Sequence, residues 1–137
     1  MAAVVSYGRK GRLGVIRLER PDALNALTYD MIAGIERLAR DAERDPEVIA
    51  ICITGAGRGF ILAMMCDLRF MAEDASLITI FSRRGLIAEH GASWLLPRMI
   101  GLSRALDLLW SSRKLDAAEA YRIGLADRVC PADRLLD

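Results

Sequence analysis

Histidine, lysine and cysteine are scarce in this sequence of 137 residues, which contains one histidine, His90. A catalytic triad would have to use His90, and no serine stands in the context of a nucleophile elbow. The three cysteines are widely spaced and form no CxxC pair, so neither zinc binding nor thiol–disulfide chemistry is predicted. His90 has only scattered carboxylates near it, so no metal site is predicted. The cysteines, Cys52, Cys66 and Cys130, stand in apolar runs, and we expect them to be buried and reduced.

An excess of charge is also missing, since the formal net charge is +1. A surface that binds nucleic acid needs a basic excess, so no nucleic-acid partner is predicted. The longest apolar runs, "VIAICI" and "FILAMMC", are too short to span a bilayer, and the N-terminus lacks the apolar stretch of a signal peptide. Together these features predict one cytoplasmic globular domain over residues 1–137.

The first half of the sequence predicts a strand–helix–strand unit. Residues 12–20 alternate apolar residues with arginines, as strands do, and end before Pro21. Thr28 can cap a helix that ends at Asp45-Pro46. Its apolar residues recur at helical spacing: Ile32, Ile35, Leu38, Ala39 and Ala42. The β-branched run at 47–55 is typical of a strand that is buried on both faces of a parallel sheet. A βαβ unit of this kind crosses over right-handed and indicates an α/β fold.

The second half predicts short helices and short strands. "FILAMMCD" is a short helix candidate, and "LRFMAEDASLITIF" has strand character at both ends. "ASWLLP" begins a helix and Ser103 can cap the next one. Asp116 and Glu119 form a capping box for a helix that ends at Gly124. "LADRVC" is a strand candidate, and "PADRLLD" begins a further helix.

Two tryptophans stand among leucines at helical spacing. Large aromatic side chains in such a context are buried more often than they form a ligand platform. We therefore expect Trp94 and Trp110 in the core.

A glycine-rich loop, "TGAGRGF" at 54–60, follows the second predicted strand. Backbone N–H groups in such loops can bind phosphate. The loop lacks the last glycine of the dinucleotide fingerprint and the Gly-Lys-Ser/Thr of a P-loop. The residues alone favour a plain turn.

The stretch "GLIAEHGASWLLP", 85–97, places Glu89 beside His90 among apolar residues. A charged group is costly in such surroundings unless it is paired, solvated or needed for chemistry. The carboxylate could bond the free N–H groups at the start of the following helix. Alternatively, it could lie in an apolar pocket and transfer protons there. The residues alone favour neither interpretation.

Five stretches follow one another along the sequence: "RLERPDALNALTYDMIAGI", "VIAICITGAGRGF", "LAMMCDLRFMAEDASL", "GLIAEHGASWLLPRMIGLSRALDLL" and "LDAAEAYRIGLADRVCPADRL". In this order they resemble the crotonase superfamily, which is the enoyl-CoA hydratase/isomerase fold. The resemblance implies an α/β fold made of a spiral of ββα turns, an acyl-CoA substrate, and commonly a trimer or a dimer of trimers. It also implies fatty-acid metabolism and no cofactor beyond the CoA moiety of the substrate.

Compared with that family pattern, the sequence is shortened. "GAGRGF" runs directly into "ILAMMCD", which implies an internal deletion near 58–61. The deletion would remove the first oxyanion loop, a helix, a central strand and most of a second glycine turn. The family's C-terminal helices would follow Asp137. We therefore expect an incomplete fold, in which Gly59 is a remnant of one flank of the oxyanion hole.

The resemblance implies a proton-transfer role for Glu89. The two hydratase carboxylates fall on Ile61 and Phe81, so both acids are missing. Glu89 matches the glutamate base of some 3,2-enoyl-CoA isomerases and the aspartate base of dienoyl-CoA isomerases. It would move a proton between C2 and C4 of an enolate. His90 stands where the family usually has a small residue, and we expect it to tune Glu89.

The resemblance also implies a CoA contact in the first half of the chain. The backbone at Ala23 and Leu24 is expected to contact the pantetheine and adenine parts of CoA. We also expect an arginine near the phosphates, although the sequence does not select one.

Two functions from different classes remain open. One is an acyl-CoA enzyme that works through Glu89. The other is a catalytically inactive shortened paralogue or fragment that associates with full-length crotonase subunits.

Overall fold

A computed structural model describes residues 3–56 and 61–137 as a mixed α/β chain. The strands are β1 (Val5–Lys10), β2 (Leu13–Leu18), β3 (Ala50–Gly55), β4 (Phe70–Ala72), β5 (Ser76–Leu77), β6 (Leu115–Asp116) and β7 (Arg128–Cys130). The helices are α1 (Tyr29–Glu43), α2 (Ala92–Ile100), α3 (Leu102–Ser111) and α4 (Ala117–Arg122). The chain divides into two compact units, Met1–Ala63 and Met64–Asp137.

The first unit is a sheet in the order β1–β2–β3 with helix α1 packed on it. β1 and β2 are antiparallel, whereas β2 and β3 are parallel. The parallel pair joined by α1 confirms the predicted strand–helix–strand unit. β1 is not predicted from the sequence, because most of its residues are exposed and it lacks an apolar alternation.

Helix α1 begins as the sequence predicts. The Thr28 Oγ1 accepts a hydrogen bond from the Met31 N–H at 3.3 Å. Met31 is fully buried against Val5 and Leu18 of the sheet. Ile32, which the sequence pattern assigns to the buried side, is 50% exposed. Ile35 and Leu38 are partly buried and Ala42 is buried, as the pattern predicts, so the stripe differs only at its start, where Met31 takes the place of Ile32.

Strand β3 is less buried than its β-branched run predicts. It lies at the edge of the sheet, and none of its residues is buried. Among the residues that the structure describes, β2 is its only paired neighbour. A continuous apolar run cannot by itself distinguish an edge strand from a central one, which explains the difference.

The second unit is built from α2, α3 and α4 with two pairs of short strands. β4 pairs with β7 in parallel, and β5 pairs with β6 in the antiparallel sense. α2 and α3 pack against each other. The buried apolar side chains form one cluster: Met71, Phe81, Ala92, Leu96, Ile100, Ala105, Leu108, Leu115, Ala117, Ala120, Ile123, Leu125 and Ala126. No helix in the described part of the chain combines the length and apolarity needed to cross a bilayer.

The start of α4 confirms Asp116 as the helix cap but only half of the predicted capping box, because the Glu119 carboxylate accepts hydrogen bonds from Arg113 at 2.8 Å. The Asp116 Oδ1 accepts a hydrogen bond from the Glu119 N–H at 2.7 Å. Gly124 follows the helix with a φ of 82°, the left-handed conformation that favours glycine at this position. Asp116 combines a suitable side chain with an extended backbone, and both requirements are local.

Other predicted helix boundaries are wrong. Gly101 rather than Ser103 precedes α3, and Ser103 lies inside the first turn of that helix. "PADRLLD" forms only a 3₁₀ turn at Ala132–Arg134, and "FILAMMCD" forms one at Ile61–Met65. These segments are too short for helical spacing to separate a 3₁₀ turn from an α-helix.

The predicted burial of the tryptophans and cysteines is also wrong. Trp94 is 62% exposed and Trp110 is 72% exposed. The buried side of α2 is formed by Ala92, Leu96 and Ile100, four residues apart, and Trp94 lies away from it. Cys52, Cys66 and Cys130 are each partly exposed.

Candidate active site

Glu89 lies in a turn directly before helix α2. Two consecutive residues, His90 (φ 54°) and Gly91 (φ 73°), are left-handed and reverse the chain there. The Glu89 carbonyl oxygen accepts a hydrogen bond from the Ala92 N–H at 3.0 Å. A left-handed conformation is free of strain for glycine but costs energy for histidine. The turn therefore fixes the backbone of the candidate base at the start of a regular helix.

The sequence leaves two environments open for the Glu89 side chain: capping of the following helix or burial in an apolar pocket. The structure shows neither. Gly91 is the N-cap of α2, and no side chain caps this helix. Glu89 is exposed and does not lie in an apolar pocket. Ile87, two residues earlier, is 82% exposed, so the neighbouring apolar residues do not cover the carboxylate. Glu89 is therefore a solvated group that another molecule can reach.

The two positions assigned to hydratase acids hold apolar residues. Phe81 is 8% exposed and belongs to the core of the second unit. Ile61 begins the 3₁₀ turn Ile61–Met65. Hydrocarbon side chains cannot donate or accept the protons that hydration requires.

The predicted CoA contact lies in a turn of the first unit. A 3₁₀ turn at Pro21–Ala23 is followed by Leu24 (φ 51°) and Asn25 (φ 51°), both left-handed. Ala23 is partly buried, and Leu24 is 55% exposed. The turn thus presents the apolar Leu24 side chain to solvent, while the Leu24 N–H donates a hydrogen bond to the Pro21 carbonyl at 3.1 Å.

Sequence reasoning missed Asn25, which is 1% exposed. Its Oδ1 accepts a hydrogen bond from the Arg20 N–H at 2.9 Å, and its Nδ2 donates one to the Ala56 carbonyl at 2.8 Å. Asn25 is the only asparagine in the sequence, and it interrupts the apolar stretch "ALNAL". That interruption is the signal that could have identified it, because a polar residue in an apolar stretch needs hydrogen-bond partners when buried.

The guanidinium nearest to this turn in sequence has a structural role. The Arg20 Nη1 donates a hydrogen bond to the Ala26 carbonyl at 2.6 Å. Arg20 therefore closes the turn, and the expected arginine at the CoA phosphates remains unassigned.

The predicted site residues fall into different parts of the chain. Ala23 and Leu24 are adjacent in the first unit, and Glu89 lies in the second. Gly59 lies outside the described residues. Within residues 3–56 and 61–137, no group of three histidine, cysteine or acidic side chains is placed to bind a metal ion.

Comparison with protein families gives two overlapping matches of one kind. Residues 54–137 and residues 13–76 each match a family described as enoyl-CoA hydratase/isomerase. A probable enoyl-CoA hydratase of Mycobacterium bovis is 31% identical over 177 aligned residues, which cover 93% of this chain and 69% of that protein. A probable enoyl-CoA hydratase of Rhizobium meliloti is 37% identical over 116 residues, covering 85% of this chain and 44% of that protein.

Solved structures share the fold of almost the whole chain. A probable enoyl-CoA hydratase/isomerase from Mycobacterium abscessus is 29% identical with a TM-score of 0.89, covering 97% of this chain and 71% of that chain. A monofunctional enoyl CoA isomerase from M. smegmatis is 32% identical with a TM-score of 0.87, covering 98% of this chain and 80% of that chain. The chain is therefore shorter than the structures it resembles.

Proposed function

Because the chain belongs to the enoyl-CoA hydratase/isomerase family, we propose that it is an acyl-CoA enzyme in which Glu89 transfers a proton. The Glu89 turn carries this proposal. Its carboxylate is accessible, and its backbone is held by the hydrogen bond from Ala92 and by two left-handed residues. A general base must combine access to the substrate with a fixed position.

Isomerisation fits this set of residues better than hydration does. Adding water across a double bond requires groups that activate the water and protonate the carbon, and Ile61 and Phe81 supply neither. Moving a proton within one substrate needs a single carboxylate that accepts the proton and returns it. The likeness to the solved M. smegmatis isomerase supports this choice.

The proposed step conserves atoms and charge. The Glu89 carboxylate takes a proton from C2 of a 3-enoyl-CoA, and the electrons of that C–H bond move into a dienolate with negative charge on the thioester oxygen. The carboxyl group then returns the proton to C4. The double bond moves from C3–C4 to C2–C3, and the carboxylate is regenerated. His90 would act only through Glu89.

The same family relationship supports our proposals for the CoA contact and the oxyanion hole. The backbone at Ala23 and Leu24 would contact the CoA moiety, and Gly59 would flank the oxyanion hole. Loss of one oxyanion donor typically lowers the rate by about 10²–10³-fold, so a shortened oxyanion region predicts slow turnover. We also propose fatty-acid metabolism as the pathway, a cytoplasmic location and a trimeric assembly.

The Glu89→Gln variant tests the proposal. We expect isomerisation of a 3-enoyl-CoA to fall by about 10²–10⁴-fold, the usual contribution of a general base. Acyl-CoA affinity should stay the same, because glutamine keeps the size of the side chain. Glu73→Gln is the matched control, since Glu73 is another exposed glutamate of the second unit. Full turnover by the Glu89→Gln variant would exclude Glu89 as the base.

A second candidate function is an inactive shortened chain that associates with full-length subunits of the family. The M. bovis match spans 177 aligned residues, more than the 137 of this chain, which supports an internal deletion. The exposed edge strand β3 supports association with another chain.

Thermal melts with and without a saturating acyl-CoA discriminate the two candidates. A ligand at about 100 times its dissociation constant adds about 2.7 kcal/mol to the stability of an enzyme that binds it. An unchanged melt, together with co-purification with a full-length family member, would favour the inactive chain.

A further inference from the structure

The turn at residues 20–26 holds the Leu24 backbone in a costly conformation. Leu24 has a φ of 51°, a conformation that residues with a branched side chain rarely adopt, and its side chain is 55% exposed. Asn25, the next residue, also has a φ of 51°. Strained backbone persists only where the surrounding structure determines it, and such strain concentrates at functional sites.

Asn25 supplies the hydrogen bonds that hold this strained turn. Its N–H donates to the Arg20 carbonyl at 2.8 Å, and its Oδ1 accepts from the Arg20 N–H at 2.9 Å. These two bonds close the turn upon itself. The third bond leads out of the turn, because the Asn25 Nδ2 donates to the Ala56 carbonyl, 31 positions along the chain, at 2.8 Å.

Ala56 directly follows the end of strand β3. Its N–H donates to the Leu18 carbonyl of β2 at 2.8 Å, and its side chain is 7% exposed. Ala56 is therefore fixed to the sheet. The hydrogen bond from the Asn25 side chain to Ala56 therefore ties the turn to the sheet. Leu24, the residue before Asn25, is held in place by the same bond.

We infer that Asn25 is a positioning residue that holds the turn at Ala23 and Leu24 in the geometry that binds the CoA moiety. This inference rests on the proposed function. With 1% of its surface exposed, Asn25 cannot touch a ligand and acts only through the turn. Its effect should fall on binding of the CoA moiety and spare the chemistry at the acyl group.

The Asn25→Gly variant separates the hydrogen bonds from the backbone conformation. Glycine adopts positive φ without strain, so the turn can form while the side-chain hydrogen bonds with Arg20 and Ala56 are lost. We expect kcat/KM for a 3-enoyl-CoA to fall about tenfold, through KM. The same 3-enoyl group on N-acetylcysteamine lacks the CoA nucleotide, and its kcat/KM should change less than about twofold. Titration with free CoA should show the same tenfold weakening.

A second variant covers the case in which Asn25→Gly does not fold. Asn25→Asp keeps the oxygen that accepts from Arg20 but replaces the donor to Ala56 with a second oxygen. It should weaken CoA binding at neutral pH and recover part of it in acid, where the protonated carboxyl group can again donate to the Ala56 carbonyl.

The outcomes distinguish failure of the inference from failure of the proposed function. If the wild-type chain binds neither CoA nor acyl-CoA, the proposed function is wrong and the inference falls with it. If the wild type binds CoA and a folded Asn25 variant binds it equally well, the inference alone is wrong. An equal loss on the CoA and N-acetylcysteamine substrates would also overturn the inference, because it would indicate a general structural role.

Discussion

Gly34 illustrates how packing can outweigh helix propensity at a single residue. It lies inside α1, where glycine costs about 1 kcal/mol relative to alanine. A Cβ atom at this position would stand 2.5 Å from the Val5 Cγ2 of strand β1. Val5 is 8% exposed and stiff at χ1, so it cannot move aside easily. Glycine therefore allows the helix to approach the sheet.

The Gly34→Ala variant should be destabilised despite its better helix propensity. Overpacking of this kind costs about 1–3 kcal/mol, and the gain in propensity offsets only part of it. The free energy of unfolding in urea, followed by far-UV circular dichroism, measures the change. Gly8→Ala in β1 is the control, because a Cβ there meets nothing within 4 Å. A variant at Gly34 as stable as the control would show that the helix and sheet can separate at no cost.

At the scale of the element, β3 is an edge strand whose outer side has no partner strand within residues 3–56 and 61–137. The sequence from Val48 to Ala56 has no charged residue and no proline, the features that usually protect an edge. Ile49, directly before the strand, is 65% exposed, and Ile51 within it is 40% exposed. An apolar, uncharged edge strand is a site for pairing with another chain.

The Ile49→Lys variant should reduce self-association without loss of stability. We expect wild-type sedimentation coefficients to rise with protein concentration and those of the variant to rise less, because lysine opposes edge-to-edge pairing. Ile32→Lys is the control, since it adds the same charge on the exposed side of α1. Identical behaviour of the two variants, or a wild type that stays monomeric throughout, would contradict the prediction.

At the scale of the whole molecule, stability depends on contacts between distant parts of the sequence. Arg69 makes such contacts within the second unit. Its Nε donates to the Leu125 carbonyl at 2.9 Å, its Nη2 lies 2.9 Å from the Asp127 Oδ2, and its Nη1 donates to the Cys66 carbonyl at 2.8 Å. The planar guanidinium reaches three partners at once, which a lysine ammonium on a flexible stem cannot reproduce.

The Arg69→Lys variant should lower the free energy of unfolding by about 1–3 kcal/mol, because partly buried acceptors lose their donors. Arg128→Lys is the control, since Arg128 is an exposed arginine of the neighbouring strand β7. Urea titrations of the two variants should give midpoints that differ clearly. Equal midpoints would mean that the positive charge of residue 69 is sufficient, and that the several N–H donors of the guanidinium group add no stability.

The features that the sequence alone determined are local ones. Thr28 and Asp116 begin their helices as predicted, because a cap requires only the side chain and backbone within three residues. The strand–helix–strand unit follows from apolar spacing in the same way. The order of the matching stretches was likewise enough to identify the family.

Only the tertiary structure decided which of these residues are buried and which are accessible. Exposure of Trp94 and of β3, and the solvated position of Glu89, depend on what distant parts of the chain cover. The Asn25 hydrogen bond to Ala56 joins positions 31 residues apart, and no local pattern specifies it. Burial and long-range hydrogen bonds are properties of packing, so they are settled only when the chain has folded.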